Sequence, residues 1–164
     1  MTYLGATVRD SCFTPRLDFT RNMEVGRWLE EDHTRFLLMV DSDMVPVDET
    51  NAILTAEGDV VACAYVDQHG HPIDWKEHGI QTGSLRVSRE LMRALTQPWF
   101  EYKISEDGRR TIEGEAHTFS QKLVAVGIAP KIAGRIGHLL RMVALPSLAA
   151  SVPTEVRYEW QFHS

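Results

Sequence analysis

The sequence predicts an α/β domain, a sheet flanked by helices. Two short apolar runs, Phe36-Leu37-Leu38-Met39-Val40 and Val60-Val61-Ala62-Cys63-Ala64-Tyr65-Val66, have the length and residue types of buried strands. Segments of helical pattern or capping chemistry precede, separate and follow them, which is the strand–helix alternation of α/β proteins. The chain has 164 residues, 43% hydrophobic and 24% charged, enough for one domain with one sizeable core.

The elements follow in order. Tyr3-Leu4-Gly5-Ala6-Thr7-Val8 reads as strand or loop, and the chain is turn-rich from there to Pro15. Residues from about Thr20 to Asp32 read as a helix whose apolar side carries Met23, Trp28 and Leu29, with Val25 nearby. Phe36–Val40 then reads as a strand buried on both faces, as in a parallel sheet. Asp48 to Ala56 is a short helix with acids at its positive end. Asp59–Val66 is the second buried strand. Residues 67–79 carry three His, one Pro and two Gly and read as a loop. Gln81–Val87 is a further strand, after which Ser88 caps a helix containing Glu90 and Leu91. Pro98-Trp99-Phe100-Glu101-Tyr102 is short and aromatic. Glu113 to about Val126 is a helix closed by Gly127. Ile128–Ala133 and Ile136–Val143 read as strand or loop. A main domain over 1–145 is thus followed by an extension, 146–164, which Pro146 opens and in which residues 155–162 alternate like a strand.

Charge and composition narrow the function. A net charge of −6 argues against a duplex nucleic-acid binder, whose affinity rests on Lys and Arg at phosphates. It leaves room for a small phosphorylated ligand whose charge a bound cation offsets. No apolar run approaches the roughly 18 residues needed to span a bilayer. The N-terminus lacks a basic stretch leading into an apolar one, so the expectation is a cytoplasmic protein without a membrane span. Cys12 and Cys63 match no zinc spacing and read as reduced, partly buried thiols.

Several residues can carry chemistry. Asp41 and Asp43 flank Ser42 directly after an apolar strand, where ligands bind in open α/β sheets. Two adjacent carboxylates repel, and a hard divalent cation, Mn²⁺ or Mg²⁺, relieves that repulsion while sharing phosphate oxygens with a substrate. Alone, the tripeptide also reads as a solvated turn. His138 can supply an imidazole as third metal ligand, or simply pack. Glu113 and Glu115 lie at a helix start, where acids are common, and a carboxylate there can take a proton from a hydroxyl. Arg21 and Asn22 can hydrogen-bond a nucleotide or its phosphates, or cap and solvate a helix. Trp75 and Trp99 can stack on a sugar or fill a core. His69, His71 and His78 have no Cys or acid partners in a zinc-like spacing, and read as solvent-exposed.

In order along the chain, these residues resemble GT-A glycosyltransferases of the family-two-like type, including short phage and bacterial versions. The resemblance rests on Arg21-Asn22-Met23, Phe36-Leu37-Leu38-Met39-Val40-Asp41-Ser42-Asp43-Met44, Thr82-Gly83-Ser84-Leu85, Pro98-Trp99-Phe100, Gly114-Glu115 and Gly137-His138, covering roughly residues 20–140. It implies a Rossmann-like mixed sheet flanked by helices. It further implies that Asp41, Ser42 and Asp43 hold the cation and diphosphate, that His138 completes the metal shell, and that Arg21 and Asn22 lie near the nucleotide. Glu115 becomes the candidate base, and Trp75, Gly83 and Trp99 fall on the acceptor side. The family's Gly-Glu-Asp appears here as Gly114-Glu115-Ala116, without its last carboxylate. Twenty residues precede Arg21, so the family's first strand is either compressed into Tyr3–Val8 or absent.

The function so implied is metal-dependent transfer of a sugar from a UDP- or GDP-sugar to a hydroxyl acceptor. The alternative is a degenerate GT-A-like domain that binds a nucleotide sugar, or serves assembly, without transfer. A homo-oligomer is open, because another subunit could complete a shortened nucleotide site. A phosphate-handling enzyme ranks last, for want of a Gly-Lys-Thr type loop.

Overall fold

The computed structural model describes residues 16–31, 33–64, 75, 79–144 and 156–161, with backbone alone at 138–144 and 156–161. The readings made for Tyr3–Val8, Cys12, the loop histidines His69, His71 and His78, and the Pro146 linker lie outside the described residues.

The architecture is mixed α/β, as the strand–helix alternation predicts. Helix α1 (Leu17–Glu31) leads into β1 (Phe36–Val40) and β2 (Met44–Pro46). A 3-10 turn (Asp48–Asn51) and α2 (Ala52–Thr55) precede β3 (Val60–Ala64), then β4 (Ser84–Ser88) and α3 (Arg89–Ala94). A small hairpin, β5 (Lys103–Ile104) and β6 (Thr111–Glu113), leads to α4 (Glu115–Ala125), β7 (Lys131–Ala144) and β8 (Val156–Gln161). The main sheet runs β1-β4-β3-β7-β2, with β8 also paired to β7. β4 is antiparallel to both β1 and β3, and β3 is parallel to β7. Strands β1, β3 and β7 therefore run one way, and β4 and β2 run the other.

Period-two alternation explains the layers. In β3, Val60 and Ala62 join a core with Val25 and Trp28 of α1, Leu91 and Met92 of α3, and Phe119 and Leu123 of α4. Val61 and Cys63 point the other way, to Ile53 of α2 and Ile136 of β7. Helices thus cover both faces of the central strands, which accounts for their near-continuous apolar runs.

β1 departs from expectation. It is an edge strand and, among the described residues, pairs only with the antiparallel β4, not within a parallel array. Leu38 and Val40 are exposed, so only the alternate residues, Leu37 and Met39, pack on the core. In α1 the buried stripe is Asp18, Arg21, Val25 and Trp28, and Met23 lies exposed. The stripe has helical spacing, but its first half is charged, and a search for apolar periodicity overlooks it.

Helix ends follow local chemistry. The Ser88 hydroxyl accepts from the Leu91 amide at 3.2 Å, capping α3 as expected. At the end of α4, Gly127 adopts φ +73°, the Ile128 amide donates to the Leu123 carbonyl at 2.9 Å, and the Gly127 amide donates to Val124 at 3.0 Å. This paired closure is why the helix stops at that glycine. α4 begins at Glu115 rather than Glu113, which ends β6 instead. The two expected strands after Ile128 are one, β7, bent at Gly134, where φ is +75°. A Cβ there would lie 2.2 Å from the Glu49 carbonyl oxygen, so only glycine lets the strand pass the 3-10 turn.

Candidate functional site

The site forms where β1 ends. The β1–β4 ladder closes on Val40 opposite Ser84, and one further bond, Asp41 amide to Gly83 carbonyl at 2.9 Å, extends it. The chain then reverses, the Met44 amide donating to the Asp41 carbonyl at 3.1 Å. Asp41-Ser42-Asp43-Met44 is thus a tight turn between β1 and β2, with Ser42 exposed and Asp41 half-buried. Gly83, expected on the acceptor side, contributes here through its buried backbone.

Arg21 gathers the charged groups. It extends from the charged half of the α1 stripe and is only 5% exposed. Its Nη2 donates to both Asp41 carboxylate oxygens at 2.9 Å, and its Nη1 donates to Glu115 Oε1 at 2.5 Å. The Thr82 hydroxyl donates to the same Oε1 at 2.7 Å. Glu115 is the first residue of α4, buried at 8% exposure, where the helix N-terminus favours a negative charge. Burial pushes the Asp41 carboxyl above the usual carboxylate range; Arg21 opposes this, and the like charges of Asp43 and Glu115 add to it. The same field reaches Tyr102, whose phenol is pushed up by burial and then by Glu115.

Asn22 does something other than face a ligand. Its amide nitrogen donates to the Phe100 carbonyl at 2.6 Å and to the Asp18 carbonyl at 2.8 Å, and its oxygen accepts from the Phe100 amide at 3.1 Å. It therefore clamps the aromatic segment, which follows a cis peptide bond at Gln97-Pro98. Phe100 is fully buried, stacks on Phe119 at 4.6 Å, and lies 6.0 Å below the Arg21 guanidinium. Trp99 is corrected in the same way. It is 4% exposed and its indole N–H donates to the Met92 carbonyl at 2.7 Å, so it is a core residue and offers no face to a sugar. Trp75 is half-buried and packs against the same core.

β2 carries the turn directly to β7. Met44 stands opposite His138, so the backbone of His138 lies across from the residue after Asp43. Its side chain lies outside the described residues. Among the described residues, no three His, Cys, Asp or Glu side chains are grouped to hold a metal ion. Two carboxylates in one turn nevertheless suit a hard cation of the Mg²⁺ kind, which keeps water and substrate phosphates as its other ligands.

Sequence reasoning missed three contributors. Thr82 was visible only as part of Thr-Gly-Ser, and its bond to Glu115 spans 33 positions. Arg89 grips the end of α1, the helix that carries Arg21, through the Trp28, Leu29 and Thr34 carbonyls. Gly79 approaches α4 so closely that a Cβ would lie 2.7 Å from the His117 amide nitrogen. A lone positively charged residue or glycine gives no signal of such partners.

No protein-family profile matches the chain, and no curated protein sequence does. A solved structure described as the crystal structure of A197 from STIV resembles it with a TM-score of 0.53, over 78% of this chain and 70% of that one, at 16% identity. At that identity the likeness concerns the fold alone. No helix among the described residues is long and apolar enough to cross a membrane.

Proposed function

We propose that the chain is a GT-A-type domain that binds a nucleotide-diphosphate sugar with a divalent cation at Asp41 and Asp43, and transfers the sugar to a hydroxyl acceptor. One observation carries the reading. Arg21, Asp41, Thr82 and Glu115, spread over 94 positions, meet in a single hydrogen-bonded cluster at the carboxyl end of β1. That is where open α/β sheets place their ligands.

A cation held at Asp41 and Asp43, Mn²⁺ or Mg²⁺, would supply positive charge for a leaving diphosphate. The chain's own residues do the rest. Asp41 and Asp43 hold oxygen donors within one turn. Glu115 spends Oε1 on Arg21 and Thr82, while Oε2 has no donor among the described residues. Oε2 is therefore the oxygen that can accept the acceptor's hydroxyl proton. A second reading, binding without transfer, is favoured by Ala116, which stands where a second acid would share that task.

Calorimetry with UDP- and GDP-sugars, in Mn²⁺ and in its absence, tests the proposal. Asp41→Ala and Asp43→Ala should each abolish the cation-dependent binding, and binding unchanged in both variants refutes the site. Release of nucleotide diphosphate into water at high protein concentration then separates transferase from binding module.

A further inference from the structure

Arg21 is unusual as a ligand-binding cation because both of its terminal nitrogens are already engaged by acids. Nη2 serves both oxygens of Asp41, and Nη1 serves Glu115. The side chain is 95% removed from solvent, yet its Nε is buried with no hydrogen-bond partner among the described residues. A buried donor without a partner costs free energy, so the guanidinium is held by the two acids rather than by its whole hydrogen-bonding capacity. Asp43 and Glu115 both act on Asp41 as like charges, and Arg21 is the cation that opposes them there. Further out, Arg16 is engaged with Asp18, forming a largely self-compensating pair.

Asp41 cannot offer both oxygens to a metal ion while Nη2 spans them. The carboxylate is half-buried, so few alternative lone pairs are open to a newcomer. Glu115 behaves differently, since Thr82 holds it independently of Arg21. The weaker attachment of the guanidinium is thus at Asp41, which is also the end nearer the turn.

We propose that Arg21 is an internal counter-ion that a divalent cation displaces from Asp41, while its bond to Glu115 persists. This rests on the cation site proposed above and adds its mode of loading. In the free protein Arg21 neutralises the turn and keeps Asp41 in place. On loading, the cation takes over Asp41, and the released Nη2 is left beside the diphosphate, where a guanidinium hydrogen-bonds phosphate oxygens well. Donor binding and placement of Glu115 are then linked through a single side chain.

Mn²⁺ alone is the probe, titrated into the free protein and followed by the fraction of unbound ion, at fixed low salt. Arg21→Gln removes the competitor, and its Mn²⁺ affinity should rise about tenfold, as when a competent state populated one time in ten becomes the only state. Arg21→Lys keeps the charge without the fork, and should fall between the variant and the wild type. A merely structural arginine would lower stability without raising cation affinity.

Should Arg21→Gln fail to fold with Glu115 left unpaired, Glu115→Gln is compared with Arg21→Gln/Glu115→Gln, which carries no stranded acid. The same tenfold gain is expected within that pair. Equal or weaker Mn²⁺ binding without the arginine overturns the inference but leaves the proposed function standing. Binding by the variant but not by the wild type supports the inference. Binding by neither overturns the inference, and the proposed function then stands or falls on the nucleotide-sugar calorimetry.

Discussion

Replacing Arg89 with methionine tests how α1, and with it Arg21, is held in place. Arg89 is 8% exposed. It donates to Trp28 at 2.9 Å, to Leu29 at 3.0 Å and to Thr34 at 2.9 Å, and its guanidinium lies 4.6 Å from the Trp28 ring. The Trp28 and Leu29 carbonyls belong to the last turn of α1, where no amide within the helix can reach them. Methionine keeps much of the stem's packing and removes the fork, so the change reports on the hydrogen bonds and charge. The bond to Trp28 is fully buried, and losing a charged donor there costs about 1.5–3 kcal/mol. The other two acceptors are reached by water once vacated, and are worth about 0.5–1 kcal/mol each. The sum is about 2.5–5 kcal/mol, and since each kcal/mol moves a domain of this size by about 2–4 °C, the melting temperature should fall by about 5–20 °C. Urea denaturation measures the free energy, and amide exchange across residues 26–31 should show the local opening. Lysine at 89, with one ammonium for three carbonyls, should recover little of the loss. A loss under about 1 kcal/mol for Arg89→Met would show that the fork is incidental to the end of α1.

Two further outcomes follow from backbone and charge. Gly134→Ala should cost more than about 2 kcal/mol, because it adds left-handed strain and a collision with the Glu49 carbonyl. Gly108→Ala has a similar φ and open space, so it should cost the left-handed strain alone, about 1–2 kcal/mol; equal losses for the two in thermal unfolding would refute the collision. Asp18 has its folded pKa lowered, first by the hydrogen bond from Arg16, so it binds fewer protons folded than unfolded. Its contribution is present above the unfolded value and is lost as pH falls through the folded one. Asp18→Asn should therefore flatten the stability curve below about pH 4, while an unaltered acid limb would contradict the pairing.

The sequence was legible where one physical signal dominates. β3 is apolar on both faces, and its run showed it. Ser88 and Gly127 each solve a helix-end problem with one side chain or its absence, so their roles could be stated in advance. Asp41-Ser42-Asp43 was placed correctly at the end of a strand, because an apolar run that stops at two acids has few other readings. The errors share a cause. Met23 reads as part of the apolar side of α1, yet Asp18 and Arg21 take the buried stripe, because charge partners such as Arg16, Asp41 and Glu115 decide burial there. β1 carries five apolar residues and still lies at an edge, since hydropathy does not reveal what lies alongside a strand. Asn22 and Trp99 have side chains suited to ligands, but backbone carbonyls and the core engage them first.

The clasp between Arg21 and Glu115 joins the first described helix to one that begins 94 positions later, and the Asn22 clamp on Phe100 spans 78. Contacts of such separation form only after much of the chain's entropy has been lost, and they slow folding relative to local pairings. Local turns and helices, such as α4 with its glycine closure, can form before either contact exists. Glu115 is thus without its guanidinium until late in folding, whereas Arg21 and Asp41, only 20 positions apart, can meet before α4 docks.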